Sequence, residues 1–294
     1  MGVKKTKNEY VFDALNTGGL VFMMILTLYP LYYIAVASLS HSDALVGHTG
    51  LLLKPLSFNV EAYRFVFQNP NIASGYRNTM LVVLGGTFVN LLMTSLGAYV
   101  LSRKQLYWKN HMMFLIAFTM FFSGGLIPTY LLVNNTLGLG NTLTALVVPT
   151  LISTWNLIVM RTSFAAIPES LIESAKLDGA HDFTVLFRIV IPLSMPVMAV
   201  MILFYGVAHW NAWFQAMIYL RDRNLYPLQL ILREILIANS TDAMMTDVSS
   251  QDKSRIGESI KYATIMVATL PILIAYPFLQ KYFVKGVMIG ALKE

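Results

Sequence analysis

Six stretches of this chain run for about 20 residues or more with almost no charged side chain, the length of helix that crosses the hydrocarbon of a bilayer. They cover residues 15–39, 80–101, 112–133, 143–164, 193–220 and 262–283. A soluble domain has too little interior to hide six such runs. Hydrophobic residues make up 56% of the chain and charged residues 12%, against roughly 25% charged in an ordinary soluble domain. Lipid is the solvent that suits this surface, and the expected fold is an all-α integral membrane protein with six transmembrane helices. Pro149, Pro271 and Pro277 fall inside runs and are compatible with them, because neighbouring helices satisfy freed carbonyls.

The charges that remain are arranged by side. Lys4, Lys5 and Lys7 precede the first run, and Arg103, Lys104 and Lys109 separate the second from the third. Arg161, Lys176 and Arg188 surround the connection from fourth to fifth, and Lys281, Lys285 and Lys293 lie at the end. With six crossings all four groups share one side, which the positive-inside rule makes cytoplasmic, with both termini. The long loops 40–79 and 221–261 then face outward. The N-terminal lysines, apolar run and Ala35-Val36-Ala37 imitate a cleavable signal peptide. The run is longer than the usual core of about 7–15 residues, so an uncleaved span is expected. The net charge of +6 is spread beside apolar runs rather than gathered in a stripe, which reads as topology control and not as a nucleic-acid surface.

Outside the runs, residues 60–67 and 228–237 have amphipathic helical spacing, and residues 239–255 are polar. Asn239-Ser240-Thr241 fits a glycosylation sequon. The segment 167–196 is the most structured of the connections. Pro168 suits the first helical position, Glu169 and Glu173 suit the positive end of the helix dipole, and Gly179 suits a left-handed C-terminal cap. Leu171, Ile172 and Ala175 give this short helix an apolar side. A second helix is expected to start at Asp182, with Asp182 as its cap. Two stiff pieces joined at a glycine elbow can receive a push from a partner.

No chemistry of the chain's own is legible. There is no cysteine, hence no thiolate site. No phosphate-binding G-x-x-x-x-G-K-[ST] loop occurs, so Gly85-Gly86 and Gly124-Gly125 read as close-packing or kink sites. The five histidines, His41, His48, His111, His181 and His209, are scattered and lack a metal-ligand cluster; only His209 has a plausible place in a translocation path. A membrane-embedded enzyme or an ion-driven transporter needs ionisable groups within its spans, and the runs have almost none. Polar and aromatic groups that do lie in them include Asn90, Thr94, Asn156, Asn211, Trp213 and Gln215. They are translocation-path candidates, with interhelical hydrogen bonding the competing role for each.

Glu173-Ser174-Ala175, then Gly179, then Ile189 and Pro192 have the spacing of the EAA loop of bacterial ABC importer permeases, which this segment resembles. Ser174 and Ile191 depart from that pattern, and Asp178-Gly179-Ala180 and Pro196 add to it. Trp210-Asn211, Tyr226-Pro227-Leu228-Gln229 and residues 280–286 with Gly290-Ala291 are similar to the maltose-type second permease subunit and its polysaccharide relatives. The resemblance implies the type I importer permease fold, with a cytoplasmic N-terminal segment over 1–14, a permease domain over 15–294, a core over about 75–283 and the loop at 165–192. It implies a coupling helix that docks in an ATPase groove through Glu169, Leu171, Ile172, Glu173, Ser174, Ala175, Asp178, Gly179 and Ala180. The implied partners are a second, different permease, two ATPase subunits that hold ATP and magnesium, an external solute-binding protein and a carbohydrate, acidic ones such as alginate fragments included. This chain itself is expected to bind no cofactor and to work by alternating access.

Overall fold

The structure is a computed structural model that describes residues 6–237 and 250–291, with the side chains of the last helix over residues 257–277. Lys4 and Lys5, the sequon and the rest of 239–249, the side chains of the tail motif and the lysines at 281, 285 and 293 lie outside the described residues. Every regular element among those described is helical; a single isolated bridge joins Ser40 and Phe58.

Three helices are long and apolar enough to cross a bilayer: Lys7–Ser38, Pro70–Ser102 and Gly257–Pro277, the last being part of a longer helix, Ser250–Ala291. Two further runs qualify only as bent pairs. Leu143–Thr150 and Thr154–Ala165 meet at 54°, and Asp182–Leu193 and Met195–Trp210 at 88°. The described chain therefore has three uninterrupted spans, or up to five if each bent pair is counted as one, where the sequence leads to six. The difference lies in three runs. The one at 112–133 is split into helices Lys109–Phe118 and Leu126–Leu131. Gly125 between them has φ +83°, a conformation that ends a helix and that glycine adopts without strain. The run at 143–164 is broken between Thr150 and Thr154, where the Ser153 hydroxyl caps the second piece by accepting from the Asn156 N–H at 3.4 Å. The run at 193–220 stops at Trp210 and resumes as Trp213–Tyr219. There the Asn211 amide folds back onto the Val207 carbonyl at 3.0 Å, competing with the helix it ends. Apolar composition marks depth in lipid, not helix continuity.

The fold divides into two units, Met1–Asn69 with Glu234–Thr269, and Pro70–Arg233 with Leu270–Glu294. In the first, Thr6 and Glu9 form a reciprocal capping box that starts the Lys7 helix, as the Ser/Thr-x-x-Glu pattern favours. Val36, Ala37 and Leu52 make a small core joined by Tyr33 and Tyr262, whose rings meet edge to face at 5.9 Å. The amphipathic stretch near Val60 is helix Glu61–Gln68, with Ala62 and Val66 buried.

The second unit is organised by Pro70–Ser102. At 1.5 Å per residue this helix is about 50 Å long, longer than the ~30 Å hydrocarbon layer. Near its start, Asn78 donates to the carbonyls of Asn224 at 2.7 Å and Tyr226 at 3.2 Å, and Thr79 accepts from the Leu228 backbone N–H at 2.9 Å. These bonds seat the start of helix Leu228–Ile237. The approach is close because Gly75 has no side chain: a Cβ there meets Ile231 Cδ1 at 2.6 Å and the Leu228 backbone at 3.2 Å. Mid-helix, a π-turn over Val82–Gly86 brings Gly86 against His209, where a Cβ meets Nε2 at 2.7 Å. Near its far end, Ala98, Tyr99 and Leu101 enter the largest core of this unit with Leu157, Met160 and Phe164.

Candidate functional site

The segment singled out by its caps is a helix, Glu169–Leu177. Pro168 does not occupy the first helical position; it is the residue before it, extended at ψ 130°. At the other end the chain closes a double cap. The Gly179 N–H donates to the Lys176 carbonyl at 3.0 Å and the Ala180 N–H to the Ala175 carbonyl at 2.9 Å. This pairing requires a left-handed residue, and Gly179 supplies it at φ +82°.

Its inner face is sealed by Ile172 and Ala175, buried in the core that holds Tyr99, Phe164, Val185 and Leu186, with Ala180 packed against it. The sequence groups Leu171, Ile172 and Ala175 as one partner-facing stripe. Packing divides that stripe: Ile172 and Ala175 are unavailable to a partner and instead fix the helix, while Leu171 is 46% exposed. At about 100° per residue, the side opposite Ile172 and Ala175 is that of Leu177, flanked by Glu173 and Ser174 one turn earlier. Leu177 is 88% exposed, and Glu173, Ser174 and Asp178 are exposed with it. Leu177 is absent from the sequence-derived candidates; its position four residues after Glu173 is the pattern that could have revealed it.

Electrostatic clamps hold both ends. Lys104 Nζ lies 2.8 Å from Glu169 Oε2, and this ammonium holds the Glu169 carboxyl below the usual carboxylate range. Asp182 begins the second helix but does not cap it; its N-cap is His181 and no side chain bonds there. Its carboxylate instead accepts from the Tyr99 hydroxyl at 2.9 Å and pairs with Lys176 at 3.2 Å. The Tyr99 bond first, then Lys176, hold the Asp182 carboxyl below its usual range. Arg103 stacks over the Tyr99 ring at 4.6 Å. A cavity of about 400 Å³ opens between the helices, lined by Leu96, Tyr99, Arg103, Ile172, Glu173 and Phe183 among others. The helix pair turns through 88° after Leu193, so Asp182–Leu193 runs nearly perpendicular to the span that follows. Ile172 and Ala175 share one buried core with Val185, Leu186 and Val190 of that segment and with Met198 and Met201 of the span.

The path candidates separate. Asn90 is fully buried and satisfied: its amide donates to the carbonyls of Thr150 at 2.7 Å and Leu151 at 2.8 Å. Those carbonyls are at the break of the fourth run. With both amide protons so used, Asn90 Oδ1 accepts from His209 Nε2 at 2.7 Å. Asn90 and His209 are thus interhelical ties. Asn156 is buried in the first turn of Thr154–Ala165. Asn211, Trp213 and Gln215 come together at the break after Trp210, with Asn211 and Trp213 exposed and Gln215 half-buried. Trp210 is buried, its ring edge-on to Tyr76 at 6.5 Å. Arg233, which sequence reading passed over, lies above the Trp213 ring at 4.9 Å.

Residues 106–289, more than half of the chain, match the family model described as the binding-protein-dependent transport system inner membrane component. The chain belongs to that family. This permease is 40% identical over 96% of its length to the polygalacturonan/rhamnogalacturonan transport system permease protein YtcP of Bacillus subtilis (strain 168), of which 98% is covered. It is 39% identical to protein LplC of the same organism, over 98% of this permease and 97% of that protein. Among solved structures, a bacterial ABC transporter involved in the import of the acidic polysaccharide alginate has a chain 29% identical, with a TM-score of 0.87 over 96% of this permease and all of that chain. The permease is therefore an inner-membrane transport subunit and not an enzyme. Membership implies ATPase subunits and a solute-binding protein as partners. The helix at Glu169 lies within the matched region, as do Asn211, Trp213 and Gln215.

Proposed function

We propose that this permease carries an acidic oligosaccharide across the cytoplasmic membrane by alternating access, paired with a second, different permease. Two ATPase subunits hold ATP and magnesium, and an external binding protein delivers the sugar. The observation that carries the coupling role is the helix Glu169–Leu177: double-capped, sealed on one face by Ile172 and Ala175, and presenting Leu177 with Glu173 and Ser174 on the other. A short helix that buries an apolar anchor in a partner's groove is a recurrent mode of docking. The contact set on this reading is Leu171, Glu173, Ser174, Leu177 and Asp178, while Glu169, Ile172, Ala175, Gly179 and Ala180 hold the helix in place. Nucleotide binding closes the ATPase pair, the docked helices follow, and the bent Asp182–Leu193 and Met195–Trp210 pair passes the movement into the membrane.

The bent pairs and the split run at 112–133 each complete a crossing on this reading, giving six. The segment 1–14 and the C-terminus are then cytoplasmic, and the permease domain spans 15–294. The carbohydrate rests on the relatives, whose names specify polygalacturonan, rhamnogalacturonan and alginate; none of these favours a peptide or amino-acid cargo. Asn156, Asn211, Trp213 and Gln215 remain its path candidates. The test is reconstitution of all subunits in proteoliposomes. ATP hydrolysis is expected to require the full set and to rise about tenfold, or 1.4 kcal/mol in activation free energy, on addition of sugar-loaded binding protein. Solute movement by this chain alone, without a nucleotide-hydrolysing partner, overturns the reading.

A further inference from the structure

Trp213 and Arg233 come from separate helices that share one core: Ala216, Tyr219 and Leu220 on one side pack with Leu230 on the other. Both supports are packed and hydrogen-bonded. Leu228 and Ile231 are fully buried against Gly75, and Asn141 donates its backbone N–H to the Tyr219 carbonyl at 2.8 Å. The half-buried Arg233 guanidinium lies over the indole at 4.9 Å, and no carboxylate among the described residues pairs with it. A guanidinium carries its N–H donors in its own plane, where they match a carboxylate bidentately. Trp213 is 38% exposed and Phe214 beside it 40%, which leaves apolar ring surface for the C–H face of a sugar. Arg77 and Arg223 flank the nearby Asn78–Asn224 contact. This end of the Pro70–Ser102 helix is the one away from Lys104 and Glu169; Asn78 and Ser102 are about 36 Å apart along it at 1.5 Å per residue.

We propose that Arg233, lying over Trp213, is an entry subsite for a carboxylate-bearing sugar residue, a hexuronate, on the side of the permease opposite the ATPase. This rests on the import reading above and adds to it the residues that select for charge. The guanidinium takes the carboxylate in its plane, and the aromatic pair takes the ring. The pair is held on packed helices before the ligand arrives, so little ordering is lost on binding.

The test is a binding titration on the complete transporter in nanodiscs, without binding protein, using trigalacturonate and a neutral galactose trisaccharide of the same linkage. The acid is expected to bind about tenfold tighter than the neutral sugar, the size of one charge-assisted hydrogen-bond pair. Arg233→Gln is expected to remove that preference and leave the neutral sugar unchanged; Arg233→Lys keeps part of it. Equal affinities in the parent, absence of binding, or an equal loss for both sugars in Arg233→Gln overturns the subsite. Uptake driven by ATP with binding protein present reads the import function separately, so the subsite can fail while that function stands.

Discussion

Replacing Asn90 by alanine is expected to destabilise the protein by about 2–4 kcal/mol, because it strands buried polar groups whose unsatisfied cost is ~1–3 kcal/mol each. Asn90 is wholly buried and joins three partners, the carbonyls of Thr150 and Leu151 and the His209 ring. The two carbonyls face the bend of the Leu143–Thr150 and Thr154–Ala165 pair, where no helical N–H reaches them. Polar ties between membrane helices are often weaker than this, averaging ~0.6 kcal/mol for single pairs; three partners on one side chain put Asn90 above that average. The melting temperature of the purified protein is expected to fall by about 4–16 °C, at ~2–4 °C per kcal/mol. Asn211→Ala is the contrast: its amide bonds only a carbonyl of its own helix and the residue is exposed, so melting should move by no more than about 1 °C. Equal melting of Asn90→Ala and the parent contradicts the tie.

The second large effect is functional. Leu177→Asp is expected to leave melting unchanged and to reduce stimulated ATP hydrolysis at least tenfold, about 1.4 kcal/mol. Leu177 is 88% exposed, so the fold gains nothing from its apolar surface. Burying a leucine in a partner contributes about 1.5–3 kcal/mol, and a buried unpaired carboxylate opposes docking further. Ile172→Asp should instead lower stability itself, since Ile172 is 4% exposed in the core. Stimulation undiminished in Leu177→Asp places the docking face elsewhere.

Local chemistry made the Glu169 helix legible. Proline before it, a carboxylate in its first turn and Gly179 after it are caps that act within a few residues. Which of its apolar side chains face inward was not legible, because that depends on Tyr99, Phe164 and Val185 arriving from other elements. The role of Asp182 was misread for the same reason: the position suits a cap, but Tyr99 and Lys176 claim the carboxylate. Spans were found by composition, which registers lipid depth but not a left-handed Gly125 or an Asn211 folding back on its helix. Proline was no guide either: Pro149 sits before one break, but Pro30 lies inside the uninterrupted Lys7–Ser38 helix. Asn90 is bound to carbonyls 60 and 61 residues away, and no pattern in one sequence links them.

On the proposed coupling, a rigid segment on the cytoplasmic side is gripped by the ATPase. The chain has no cysteine, and Ser174 is exposed beside Leu177, so Ser174→Cys provides one addressable thiol. A membrane-impermeant maleimide is expected to label it in inverted vesicles but not in intact spheroplasts, and added ATPase should protect it. Labelling from outside the cell, or labelling indifferent to the ATPase, contradicts the account.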